Sequence, residues 1–125
     1  MVIPNMTQKL RPPIPVATPI PNTFKMIDAN AIVAGTEEVI WTPASGRTIR
    51  LLGWFLSSSA GAALEFQDSA TSGTVIAQTP LLAAAGVHSA QNLGKGIVLA
   101  GADNTLKLDV TANSTISGMV FGVEE

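Results

Sequence analysis

The sequence predicts an all-β domain, a sandwich or barrel built from short antiparallel strands, and three observations carry that expectation. From Thr23 onward, apolar runs are broken by Gly, Ser, Asn and Pro at spacings of about 8–12 residues, the rhythm of a strand-and-turn protein. Leu106, Leu108 and Val110 alternate strictly with Thr105, Lys107, Asp109 and Thr111, which predicts a half-buried strand with the first set facing in and the second facing out. Finally, the run from Thr48 to Ser57 is apolar on both parities of a period-2 pattern. Ile49, Leu51 and Phe55 are expected on one face and Leu52, Trp54 and Leu56 on the other, as in a central strand covered on both sides. A helix is the rival for this run. Pro43 and Gly46 before it, the serines after it and Gly53 within it argue against that, and Gly53 also suggests a bulge or a close backbone approach.

The chain divides into residues 1–23 and residues 24–125. The first part holds six of the eight prolines, Pro4, Pro12, Pro13, Pro15, Pro19 and Pro21. Proline fixes φ and lacks an N–H, so this segment is expected to run extended as an arm, spanning at most roughly 70 Å at about 3.1 Å per residue. A passive linker or tail is the plain alternative. Ile14, Val16, Ile20 and Phe24 are interleaved with the prolines, and a solvated linker has no need of them. The arm is therefore read as lying along a neighbouring subunit, with Lys9 and Arg11 adding charge contacts.

Strands are expected near residues 24–28, 31–35, 37–42, 47–57, 62–67, 74–79, 87–93, 96–100, 105–111 and 114–123, some of them merging. Their predicted core is Ile49, Leu51, Phe55, Leu64, Phe66, Leu106, Leu108 and Val110. Residues 67–73 carry no apolar side chain larger than that of Ala70 and are placed at an exposed tip. Residues 79–86 are the sole helix candidate, with a strand end followed by a loop equally compatible. Gly118 and Gly122 mark tight packing or bends in the last strand. Gly94-Lys95-Gly96 lacks the rest of a phosphate-loop pattern and reads as a hairpin turn.

Groups for catalysis are sparse: there is one histidine and neither cysteine nor tyrosine. His88 and Ser89 are adjacent on a predicted strand and point to opposite faces, so they cannot act as base and nucleophile; His88 is expected to make a single hydrogen bond. Glu37 and Glu38 read as the polar start of a strand rather than a carboxylate pair, and nothing in the sequence sets Asp103 and Asp109 across a cleft. Asp68, Asp103 and Asn104 are loop oxygen donors without the calcium-loop spacing, so no metal and no cofactor is expected.

At 125 residues the chain suits one domain. Only 13% of it is charged, well below the usual quarter, which suggests that part of the surface is covered by other subunits. A net charge of -2 with scattered Lys and Arg gives no footprint for nucleic acid or an anionic membrane. No apolar run approaches a transmembrane helix, and Pro4, Pro12 and Pro13 interrupt the region where a Sec-type signal would lie.

The run from Leu51 to Ser59, the segments Leu64-Glu65-Phe66-Gln67-Asp68 and Gly73-Thr74-Val75-Ile76-Ala77, and the closing run from Ser114 to Phe121 resemble small virion proteins of tailed bacteriophages over about residues 36 to 123. That resemblance implies a jelly-roll-type antiparallel β-sandwich serving as a capsid decoration, or cement, protein. The expected partners are the major capsid protein and the chain itself, most simply as a homotrimer; the expected location is the capsid surface of the virion, after synthesis in the host cytoplasm. A tail- or fibre-associated module that binds a receptor or carbohydrate is the alternative. Such a module would use exposed aromatics, for which the sequence offers Trp41 and Trp54 as tryptophans, with Trp54 more simply in the core or an interface. No enzymatic activity is expected.

Overall fold

The computed structural model describes residues 23–70, 74–91 and 93–125. Among them the chain forms nine strands and no helix: β1 (Thr23–Ile32), β2 (Glu38–Trp41), β3 (Ile49–Ser58), β4 (Leu64–Asp68), β5 (Val75–Gln78), β6 (Gly86–Ala90), β7 (Ile97–Val98), β8 (Leu106–Val110) and β9 (Ser114–Glu124). The two segments expected at 24–28 and 31–35 are one strand, β1, bent by a register shift between Ile27 and Asn30. Residues 79–86 are not helical. Leu82 pairs with Ala62 in an isolated bridge, and Ala85 takes a left-handed φ of 59°.

All pairings are antiparallel, and they build two sheets. One has the order β1-β9-β3-β6, with β7 also on β3; the other has the order β2-β8-β4-β5. Their inner faces share one apolar core. Ile27, Ile49, Leu51, Trp54, Leu56, Ile116 and Val120 come from the first sheet and Trp41, Leu64, Phe66, Leu106, Leu108 and Val110 from the second, as in a β-sandwich. The Trp54 and Phe66 rings, 4.6 Å apart between centroids, join the two layers.

Strand β3 departs from the expectation that both its faces are apolar throughout. Its pairing with β9 shifts register between Leu51 and Gly53, so that Leu52 is the extra residue of a bulge. The bulge reverses the parity. Ile49 and Leu51 face the core before it, Trp54, Leu56 and Ser58 face the core after it, and Phe55 lies outside at 48% exposure. The placement of Phe55 in the core is thus corrected: a one-residue insertion carries every later side chain to the other face. Glycine at position 53 is required by space. A Cβ there would overlap the Ala90 carbonyl oxygen and the ring of Phe121.

Gly118 and Gly122 in β9 behave as the sequence suggests. A Cβ at either would strike a backbone carbonyl of β3, that of Phe55 or Arg50, and Gly118 has φ +133°. The turn at residues 93–96 closes through a 3.0 Å hydrogen bond from the Gly96 amide to the Leu93 carbonyl. It does not make a hairpin, because β6 and β7 both pair with β3, the first at Trp54 to Ser58 and the second at Arg50 and Leu51. The two are pieces of one edge strand whose regular pairing is interrupted between Ala90 and Ile97, with the Leu93 amide still donating to the Leu52 carbonyl of β3 at 3.2 Å. The opposite edge of that sheet is the bent strand β1; the other sheet ends in the four-residue strands β2 and β5.

Two further expectations are revised. Alternation places Asp109 outward, yet it is 8% exposed. Its Oδ1 accepts hydrogen bonds from the Gly35 amide (3.0 Å) and the Val110 amide (2.8 Å), tying the loop before β2 to β8. Gln67 and Asp68 do not belong to an exposed tip; both are buried at the end of β4, where Asp68 accepts from the amides of Ala70 (2.9 Å) and Ala100 (2.6 Å). Residues 71–73 of that turn lie outside the described residues. Asp109 and Asp68 are buried at modest cost because backbone amides satisfy them, whereas the buried Gln67 Oε1 meets no hydrogen-bond partner.

Candidate functional surface

The polar groups considered for chemistry are held apart and used structurally. Trp54 Nε1 donates to His88 Nδ1 at 3.0 Å, so the half-buried His88 is tied to the core tryptophan, while Ser89 on the same strand is exposed. Lys107 pairs with Glu37 at 3.0 Å on the outer side of the second sheet. Asp103 accepts from the Gly46 amide at 2.6 Å. Among the described residues no group of three or more His, Cys, Asp or Glu side chains is placed to hold a metal ion.

Glu124 carries a clear electrostatic signature. The Trp41 indole donates to its Oε1 at 2.7 Å and the Ala44 amide to its Oε2 at 3.1 Å. The Trp41 hydrogen bond is the largest influence and lowers its pKa; burial opposes, and the Ala44 amide, Lys25 and Arg47 lower it further. A carboxyl whose pKa is depressed on folding stabilises the fold above its unfolded pKa, and that contribution is lost as pH falls through the folded one. Stability is therefore expected to drop on acidification below about pH 4, the ordinary glutamate range. Urea midpoints at neutral pH and at pH 3 should show it, and Glu124→Gln should show a smaller drop between the two.

The outer faces of the two sheets differ in kind. On the second sheet, the half-buried Glu65 and the Lys107–Glu37 pair lie on the outward parity of β4 and β8 beside the exposed Val39 of β2, while Asp109, of the same parity, is buried against amides. The first sheet presents an apolar band instead. Met26 of β1 lies opposite Met119 of β9, and Met119 lies opposite Phe55 of β3, forming one row across three strands. Phe24 lies opposite Phe121, their ring centroids 6.0 Å apart, and Phe121 lies opposite Gly53, forming the next row. Directly opposed residues of antiparallel strands share a face, so these five side chains form a continuous patch. Phe24 is 60% exposed and Met26 71%. Val87 and Val98 extend the apolar character toward the interrupted edge. Among the described side chains, the outward positions of this sheet carry one charge, Arg50, whose guanidinium is bound to Glu125 at 2.6 Å and to the Lys95 carbonyl at 2.6 Å. Exposed apolar patches of this sort mark interaction sites.

Of the contact residues expected from the sequence, Phe24 is the one the described residues include, and it belongs to this band. Lys9, Arg11, Ile14, Val16 and Ile20 lie outside the described residues, and so does the whole of the expected arm except Thr23, which is the first residue of β1. Met26, Met119 and Phe121 were not anticipated. The signal for them is present: Met119 and Phe121 occupy one parity of β9 while Ile116 and Val120 occupy the other. Trp41 and Trp54 are 1% and 4% exposed, so neither offers an indole face to a sugar.

Fold and surface together define a small two-sheet β domain with an apolar band on the outer face of one sheet. No protein-family model, curated protein or solved structure matches the chain.

Proposed function

We propose that the chain is a structural, non-catalytic virion protein of a tailed bacteriophage, a decoration or cement protein that binds the outside of the head and stabilises it by bridging neighbouring capsid subunits. The observation that carries this reading is the uncharged apolar band on a small β domain, a surface that calls for a protein neighbour and offers no chemistry to a substrate. The strand order supports a jelly roll. With β6 and β7 counted as one interrupted strand, eight strands divide into sheets of order β1-β9-β3-β6 and β2-β8-β4-β5, and eight-stranded double-sheet jelly rolls are common in capsid proteins. In this reading the protein is made in the host cytoplasm, resides on the capsid surface and clusters as a homotrimer about a local symmetry axis. Residues 1–22 are its docking arm onto the major capsid protein, through Ile14, Val16 and Ile20 with Lys9 and Arg11.

The arm gives the test. Prolines restrict the unbound chain and reduce the entropy lost on docking, and each buried aliphatic side chain contributes roughly 1.5–3 kcal/mol. A protein truncated to begin at Thr23 is expected to keep its melting temperature within a few degrees and to bind heads lacking the decoration protein much more weakly than the full chain. Undiminished binding in a head co-sedimentation assay would refute the arm's role. Failure of the full chain to bind such heads would refute the decoration reading.

A further inference from the structure

We propose that the occupant of the apolar band is residues 12–21 of the same chain, which turn back at the start of β1 and lie across Phe24, Met26, Phe55, Met119 and Phe121. The free protein then covers its own face. This goes beyond the decoration reading and does not rest on it; where a head draws the arm away, the band is bared for a neighbouring subunit.

Attachment selects the occupant. Only Asn22 and Thr23 separate Pro21 from Phe24, the first residue of the band, so the run is delivered to the band's own border. A segment tethered this closely meets the band at a local concentration of about millimolar, and a second copy or any other free partner competes only when it is as concentrated or binds better. The length fits. The band crosses β1, β9 and β3, two interstrand spacings or about 10 Å, and the run reaches about 30 Å at about 3.1 Å per residue. The junction suits a reversal. Pro21 fixes φ for the second position of a turn and Asn22 tolerates the third, so the chain can leave the direction of β1 there. The run holds Pro12, Pro13, Pro15, Pro19 and Pro21, which lack the amides of a regular ladder, and this favours the sheet's face over its edges. The surfaces also match. Residues 12–21 carry no charge, and Thr18 is their single polar side chain. Extended proline-rich segments dock on aromatic-lined surfaces at a small cost in entropy, and Phe24, Phe55 and Phe121 line this one. Ile14, Val16 and Ile20 supply the aliphatic area to be buried against them.

The chain has no cysteine, so disulfide trapping in the full-length protein tests this without background. Val16→Cys is combined with Phe55→Cys on the band or, as control, with Val39→Cys on the other sheet, both positions being 48% exposed. Each protein is equilibrated at micromolar concentration in a glutathione redox buffer, and the monomeric disulfide gives the effective concentration of the pair. The Phe55 pair should exceed the Val39 pair by at least about tenfold. Adding Ile14→Asp and Ile20→Asp to the Phe55 pair should remove that excess, with the far-UV circular dichroism spectrum unchanged. Equal trapping of the two pairs would overturn the proposal. So would trapping that the aspartates leave intact, because the tether alone would then bring the cysteines together. Disulfides formed mainly between chains would also overturn it, and would assign the band to the arm of another copy. Heads are absent throughout, so the result stands apart from the decoration reading.

Discussion

Gly53→Val is expected to abolish the fold or to cost more than about 4 kcal/mol, a large share of the 5–15 kcal/mol typical of a domain. Two obstacles meet a side chain at this position, and they differ in kind. The ring of Phe121 is the end of a side chain on an exposed face and can swing away. The carbonyl oxygen of Ala90 is backbone, held in the ladder between β6 and β3, and yields only if that pairing opens. The carbonyl should therefore dominate. A Gly53→Ala, Phe121→Ala double variant clears the ring and leaves the carbonyl, and it should remain nearly as unstable as Gly53→Ala alone. Urea denaturation followed by tryptophan fluorescence, with Trp41 and Trp54 both buried as reporters, measures each variant. Full rescue by the double variant would show that the ring, and not the edge-strand backbone, sets the requirement for glycine.

Phe66→Ala is expected to cost about 3–5 kcal/mol, the range for a buried phenylalanine whose removal leaves a cavity. Phe66 is fully buried in β4 and its ring packs on Trp54 of the opposing sheet, so the loss falls where the two layers meet. Trp54 emission should shift to the red as water gains access. Phe55→Ala, made in the protein beginning at Thr23 and assayed at concentrations low enough to keep it monomeric, should change stability by no more than about 0.5 kcal/mol, because its side chain faces outward. Equal losses from the two variants would contradict the parity reversal in β3.

These two phenylalanines also show what the sequence made legible. Simple alternation places Phe66 correctly, since β4 and β8 pair without interruption and each side chain keeps its parity. Phe55 is misplaced because alternation cannot count an extra residue. Gly53 advertises a bulge, but only the pairing with β9 locates it at Leu52 and so decides which side chains turn outward. The same limit hid the band. A strand that is apolar on both parities signals a covered outer face, and the criterion applies to β9, with Val120 inside and Met119 outside, as well as to β3. Which residues join into one patch depends on cross-strand register, and register is a property of strands far apart in sequence. Asp109 and Asp68 were invisible as buried residues for a related reason: their burial is made tolerable by amides of Gly35 and Ala100, distant in sequence, that no local pattern names.

A domain with an apolar face on a β-sheet, held at high local concentration, is exposed to a particular hazard: strands of separate molecules can add edge to edge and grow into fibrils. The ends of both sheets oppose this. The edge formed by β6 and β7 is interrupted between Ala90 and Ile97, β1 is bent at its register shift, and β2 and β5 present only four residues each. A docking strand would find no long, straight row of free amides and carbonyls on any of the four. Growth along the hydrogen-bonding direction is thereby discouraged, while contact through the face is left open.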